Sequence, residues 1–235
     1  MVASPTSRNA RAKRPIATSP KAYKLSAELL RVHAQSPEPS ILRYAADFLS
    51  RGRVVAVPTD TVYGLAADPF NLSAVEEIYR VKGRPESRAL PILVNSIEQA
   101  MLLGREVPTN FLRLTHKYWP GPLTVVVDAA QRLPLKVTAN TGRVALRWPR
   151  SPILSGLIDE FGGPITGTSA NISGHPSCVS AAHVLEQLGE RLSLILENGE
   201  ITEGLPSTIV VLTGDSWKIV REGIVPCSDI EKTLA

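Results

Sequence analysis

The apolar runs in this chain are all short, and that feature constrains the fold most. Val54 to Val57 and Leu123 to Val127 are among the longest. Each suits one buried strand and falls far below the roughly 20 residues that a membrane-spanning helix needs. Between such runs, apolar residues recur at helical spacing. Ile41, Leu42, Ala45, Phe48 and Leu49 follow Ser40 and stop at Gly52, which predicts a capped amphipathic helix ahead of the Val54–Val57 strand. Ser73 with Glu76 predicts a capping box for a helix through Lys82, with Val75, Ile78 and Tyr79 as its stripe and Gly83 as its stop. Leu90 to Val94 predicts another strand.

The alternation continues down the chain. Ser96 with Gln99 opens a helix to Gly104, Thr109 opens one to Tyr118, and WPGP turns the chain into the strand Leu123 to Asp128. Val144 to Trp148 predicts a strand, and Ser151 with Pro152 starts a helix that stops at Gly162. A short strand near Ile165, a helix from Ser180 to Leu188 and a strand at Leu194 to Leu196 follow. STIVVLTGDSWKIVREG reads as a hairpin about Gly214-Asp215, and Ser228 with Glu231 as the cap of a last helix. Both crossover and hairpin connections are implied, so the fold class is α/β with a mixed sheet.

Charge is distributed unevenly. The formal net charge is +4, yet Arg8, Arg11, Lys13, Arg14, Lys21 and Lys24 fall within residues 1–24, where there is no acid. Without those six of the 26 basic residues, 20 remain against 22 acids, so the body stands at about −2. We expect a disordered basic tail over 1–36 and one catalytic domain over 37–235; an organelle-targeting peptide and an RNA-contacting arm are the other readings of the tail. Cys178 and Cys227 form no CxxC and no zinc spacing, which predicts free thiols in a reducing compartment. No signal-peptide pattern opens the chain.

Several stretches carry candidate chemistry. Lys82-Gly83-Arg84 with Arg88 has the composition of an anion clamp, a point charge beside planar bidentate donors, although a lysine at a helix C-terminus also serves the helix dipole. PTDTVYGL, 58–65, follows a strand end, where ligands bind in α/β sheets, and supplies Thr59 and Thr61; a plain turn is the other reading. GTSANISGHPS, 167–177, packs hydroxyls and an amide around glycines, as phosphate-binding loops do and as ordinary Asn/Ser turns do. Arg147 interrupts the apolar run VALRWP and needs either a salt-bridge partner or a ligand. His175 has no metal-ligand neighbour at the right spacing, and neither GxxxxGK[ST] nor GxGxxG occurs.

PTDTVYGL, KGRP, WPGPLT, VALRWP, TSAN and STIV, in this order, closely resemble the YrdC family of L-threonylcarbamoyladenylate synthases. The resemblance runs from about residue 38 to about 230 and matches the short, single-domain form. It implies a twisted mixed sheet with flanking helices around a deep, positively charged groove. The implied reaction makes threonylcarbamoyl-AMP and pyrophosphate from L-threonine, bicarbonate and ATP. Partner proteins then transfer the threonylcarbamoyl group to the adenosine beside the anticodon of tRNA. Position by position, the resemblance puts Lys82 and Arg84 in the catalytic role and on the phosphates with Arg88, and Ser169, Asn171, Ser177 and Arg221 on the nucleotide. It puts Thr59, Arg147, Thr168 and Ser207 on threonine. Mg2+ is expected to bind mainly through the ATP phosphates, with no metal ligand from the protein.

Two departures from the family pattern stand out. Relatives often read NPLIVH where this chain has RALPILV, so Pro91 is shifted and Leu93 stands where a histidine is common. Relatives also often read RPG where this chain has Arg221-Glu222-Gly223, setting an acid near the expected nucleotide. A cytoplasmic location, no membrane association and possible tRNA contact complete the expectations. The competing readings are an RNA-binding module without catalysis, which sparse aromatics disfavour, and a related carbamoyl-adenylate transferase acting on another amine.

Overall fold

The structure, a computed structural model, describes residues 1, 27–202 and 204–235. In chain order its elements are β1 (Glu28–Arg31), α1 (Pro39–Ser50), β2 (Val55–Val57), β3 (Gly64–Ala66), α2 (Leu72–Lys82), β4 (Ile92–Leu93) and α3 (Ile97–Met101). Then follow α4 (Thr109–Tyr118), β5 (Leu123–Asp128), β6 (Arg143–Arg147), α5 (Pro152–Phe161), β7 (Ile165–Thr166) and β8 (Thr168–Ser169). The last are α6 (Ala181–Leu188), β9 (Leu194–Glu197), β10 (Thr208–Thr213), β11 (Ser216–Arg221) and α7 (Cys227–Leu234).

The strands form two mixed sheets, a five-stranded one in the order β1-β9-β2-β3-β8 and a six-stranded one in the order β11-β10-β5-β6-β4-β7. Strands β2, β3 and β9 of the first are apolar on both faces because they are buried on both, whereas the edge strand β1 is largely exposed. Val55 and Val57 of β2, with Leu194 and Leu196 of β9, pack on α1 and α5. Ala56, Leu65 and Ile195 turn to the main core, which also receives Val75 and Ile78 of α2 and Phe111 and Leu114 of α4. Gly156 lets α5 approach α1 closely, since a Cβ there would stand 2.6 Å from Leu42 Cδ1. In the second sheet the alternation of side chains separates two environments. Leu123, Val125 and Val127 of β5, Val144 and Leu146 of β6, and Val210 and Leu212 of β10 enter the core, leaving the other face for the site.

The structure corrects several expectations. β1 lies inside the stretch expected to be disordered and pairs in parallel with β9, Glu28 opposite Leu194, so the ordered chain begins before residue 37; residues 2–26 lie outside the described residues. The first helix begins at Pro39 with Glu38 as N-cap, so Ser40 is already helical. Asn71 caps α2, its side chain accepting from Ser73 N and Ala74 N, which displaces the Ser73–Glu76 box. Pro226 stands at the N-cap of α7 in place of Ser228. Ser96 and Ser151 cap their helices as expected, and Ser180, expected as the first helical residue, is the N-cap of α6. Short strands β3 and β8 occur in stretches read as loops, and they pair with each other, Gly64 opposite Ser169.

Candidate active site

A cavity of about 380 Å3 is lined from both sheets. The six-stranded sheet supplies its free face at alternate positions: Thr124 and Val126 of β5, Ala145 and Arg147 of β6, and Ser207 and Ile209 at β10. The register sets Ala145 beside Val126 and Thr124 beside Ile209. Lys82, Arg84 and Arg88 line it from the end of α2 and the turn after it, and Thr168, Ser169 and Asn171 from β8 and its loop. Lys82, Arg84, Arg88, Arg147 and Arg221 face this space, and among the described residues no carboxylate lines it.

The cationic turn is built by the stop of α2. Gly83 takes the left-handed conformation, φ 57°, as helix-ending glycines do. Tyr79 then ties the following loop down, its hydroxyl donating to Arg88 O at 2.9 Å. Lys82 is only 3% exposed, so the groove wall it was expected to stand on is not an exposed one. Its ammonium donates to Asn171 O at 2.9 Å and to Ser169 O, fastening the β8 loop. Burial, with Arg84 nearby, pushes the Lys82 pKa down to about 7. Arg84 donates from Nη1 to Thr168 Oγ1 and from Nη2 to Ala89 O, both at 3.0 Å. Its Nε is buried and has no hydrogen-bond partner among the described residues.

Arg147 is 7% exposed and meets both demands that its sequence context raised. It donates from Nε to Gly121 O at 3.1 Å, from Nη1 to Thr61 Oγ1 at 2.9 Å and from Nη2 to Asp60 Oδ1 at 2.6 Å. Burial pushes its pKa down, and Asp60 opposes that. A salt bridge and a cavity position therefore coexist.

The hydroxyls divide otherwise than expected. Thr59 Oγ1 closes its own turn, accepting from Thr61 N at 3.0 Å and donating to Val62 O at 2.7 Å, and Thr59 is not among the cavity-lining residues. Thr61 takes that place. Ser207 Oγ lies 2.8 Å from Thr124 Oγ1 and accepts from Arg221 Nη2 at 3.2 Å, which joins three strands of the sheet at the cavity. Ser177 lines the cavity and His175 is exposed. Glu222 turns away, its Oε1 accepting from Cys227 N at 2.8 Å, so it caps α7 and does not line the cavity. Leu93 forms apolar floor against Gly167, where a Cβ would sit 2.3 Å from Leu93 Cγ. Sequence reasoning missed Asp60 and Thr124; alternation along LTVVVD would have placed Thr124 opposite the core-facing valines.

Fold and cavity together define an α/β domain with a cationic, hydroxyl-rich pocket at the seam of two sheets. The family profile for Sua5, YciO and YrdC proteins, described as "Telomere recombination", matches residues 47–223. The threonylcarbamoyl-AMP synthase of Pyrococcus abyssi is 39% identical over 193 residues, 82% of this chain and 57% of that protein. That of Bacillus subtilis is 37% identical over 198 residues, 84% of this chain and 57% of that protein. The crystal structure of P. abyssi Sua5 complexed with L-threonine superposes with a TM-score of 0.85 at 38% identity, covering 88% of this chain and 61% of that one. The chain belongs to the Sua5/YciO/YrdC family. It spans about 57% of the length of the two curated relatives named.

Proposed function

We propose that this chain is an L-threonylcarbamoyladenylate synthase, joining L-threonine, bicarbonate and ATP into threonylcarbamoyl-AMP with release of pyrophosphate. The observation that carries this reading is the cavity's charge pattern, five cations and no carboxylate among the described residues, with Lys82, Arg84 and Arg88 from the end of α2 and the Arg147 fork from β6. Arg84 and Arg88 hold the phosphates, with Lys82 fixing the loop of Ser169, Asn171 and Ser177 against them. Arg147, Thr61, Thr168 and Ser207 hold the amino acid, in keeping with the threonine complex of the P. abyssi protein.

The chemistry asks little covalent work of the protein. The oxygen of an N-carboxylated threonine attacks the α-phosphate in line with departing pyrophosphate, so positioning and offset of gathering negative charge are the enzyme's task. Cations that carry fixed hydrogen bonds before substrate arrives are organised for that task. Among the described residues the lining offers no carboxylate, so these residues do not suit a protein-held Mg2+; the ion would travel with the nucleotide phosphates, and no step is assigned to it. Carrier proteins for transfer to tRNA, and a cytoplasmic setting, belong to the same proposal. Among the described residues no helix is long and apolar enough to cross a membrane.

The test is formation of a labelled AMP adduct from labelled bicarbonate with ATP and threonine, with pyrophosphate measured in parallel. Adduct that requires threonine supports the reading. Pyrophosphate release that is indifferent to threonine, or equal use of another amine, overturns it.

A further inference from the structure

Among the described residues, Arg147 is the one cation of the cavity that is ion-paired to a carboxylate. Its Nη2 lies 2.6 Å from Asp60 Oδ1, with only 8% and 14% of the two side chains exposed. Asp60 does not line the cavity. It stands behind Arg147, facing a separate depression that Arg150 and Glu200 share. Three of the five guanidinium N–H donors of Arg147 are engaged, by Gly121, Thr61 and Asp60, leaving one on each terminal nitrogen for a ligand. The charge of Arg221 is disfavoured by burial and, after that, by Arg147 nearby. Without Asp60 this end would hold two uncompensated guanidiniums and would attract phosphate much as the Lys82–Arg84–Arg88 end does.

We propose that Asp60 is a specificity-determining residue. It lowers the charge at the Arg147 end so that this end takes a single carboxylate and refuses phosphate groups, confining the polyanion to the Lys82–Arg84–Arg88 end. It acts through Arg147 and touches no substrate. The proposal rests on the functional reading above for which ligand fills which end; the charge selection itself can be tested without either substrate.

Asp60→Asn is the discriminating variant, because its amide oxygen still accepts from Nη2 while the charge is gone. Titrating substrate-free protein with inorganic pyrophosphate is expected to give one site in the wild type. In Asp60→Asn a second site should appear, or affinity should rise about tenfold, as expected when one nearby charge is removed. Arg147→Ala on top of Asp60→Asn should abolish the gain. In the wild type, sulfate should compete with ATP and leave the threonine dependence unchanged, whereas in Asp60→Asn it should compete with threonine. Unchanged pyrophosphate binding in a folded Asp60→Asn protein would overturn the proposal. Should that variant not fold, sulfate competing with threonine in the wild type as strongly as with ATP overturns it equally. Failure of the synthase reading alone would leave the pyrophosphate result standing.

Discussion

At Arg147 one guanidinium serves the fold and the cavity at once. Lysine keeps the charge but has a single nitrogen, which cannot meet Gly121 O, Thr61 Oγ1 and Asp60 Oδ1 in their separate directions. Arg147→Lys is therefore expected to lower the melting temperature and to raise the threonine concentration needed, each by the equivalent of about 1–3 kcal/mol, with ATP affinity unchanged. A stability loss with a normal threonine response would leave Arg147 only its structural part. Lys82 gives a pH-dependent prediction. Its folded pKa of about 7 lies below the ordinary lysine value of 10.5, so between those values the unfolded chain holds a proton that the folded one lacks. Below about 7 both states are charged and the burial penalty stands in full; stability contributed by this group rises as pH climbs through the window. The stability of wild type relative to Lys82→Met, measured by urea unfolding, should accordingly rise from about pH 6 to about pH 9. A flat difference would mean that Lys82 keeps its charge. Types of residue were legible here and their directions were not. PTDT offers two threonines, and only the backbone turn decides that Thr59 bonds inward while Thr61 faces the cavity. Asp60 pairs with a residue 87 positions away, which no local pattern announces.

Among the elements, α2 matters most to the site because it delivers Lys82 and the turn behind it. Its start depends on Asn71, whose Oδ1 accepts from Ser73 N at 3.1 Å and from Ala74 N at 3.3 Å. Asn71→Ala should cost about 1 kcal/mol in thermal or urea unfolding, while Ser73→Ala should stay within about 0.5 kcal/mol. The reverse ranking would restore the Ser73–Glu76 capping box. At α2 two suitable residues, Asn71 and Ser73, lie two positions apart and the wrong one was read as the cap, whereas at α1 and α7 the N-cap positions belong to Glu38 and Pro226, which make no side-chain cap bond for a sequence reading to find. The cap was read correctly at Ser151, where Pro152 in the first turn marked the start of the helix. The longer strands and the hairpin were legible because their alternation spans several residues; β3 and β8, with three and two residues, exist only through their pairing.

At the scale of the whole molecule, the backbone partner of β1 is β9, more than 160 residues later, and so β1 could not be seen in a local reading. Deleting residues 1–24 is expected to leave the melting temperature and adenylate formation nearly unchanged, since that stretch has no core-forming pattern. Deletion through Arg31 should lower the melting temperature by several degrees, because it removes β1 and bares the edge of β9. Equal behaviour of the two truncations would show β1 to be dispensable. The opposite limit of the architecture is β11, the outer strand of the six-stranded sheet, with Trp217 and Ile219 half-buried and Lys218 and Val220 exposed. Its free backbone groups are an open invitation to strands of other copies, and Lys218 at its middle keeps them apart by charge. Lys218→Val is accordingly expected to lower the protein concentration at which light scattering first detects self-association, and high salt, by screening the ammonium, to do the same to the wild type.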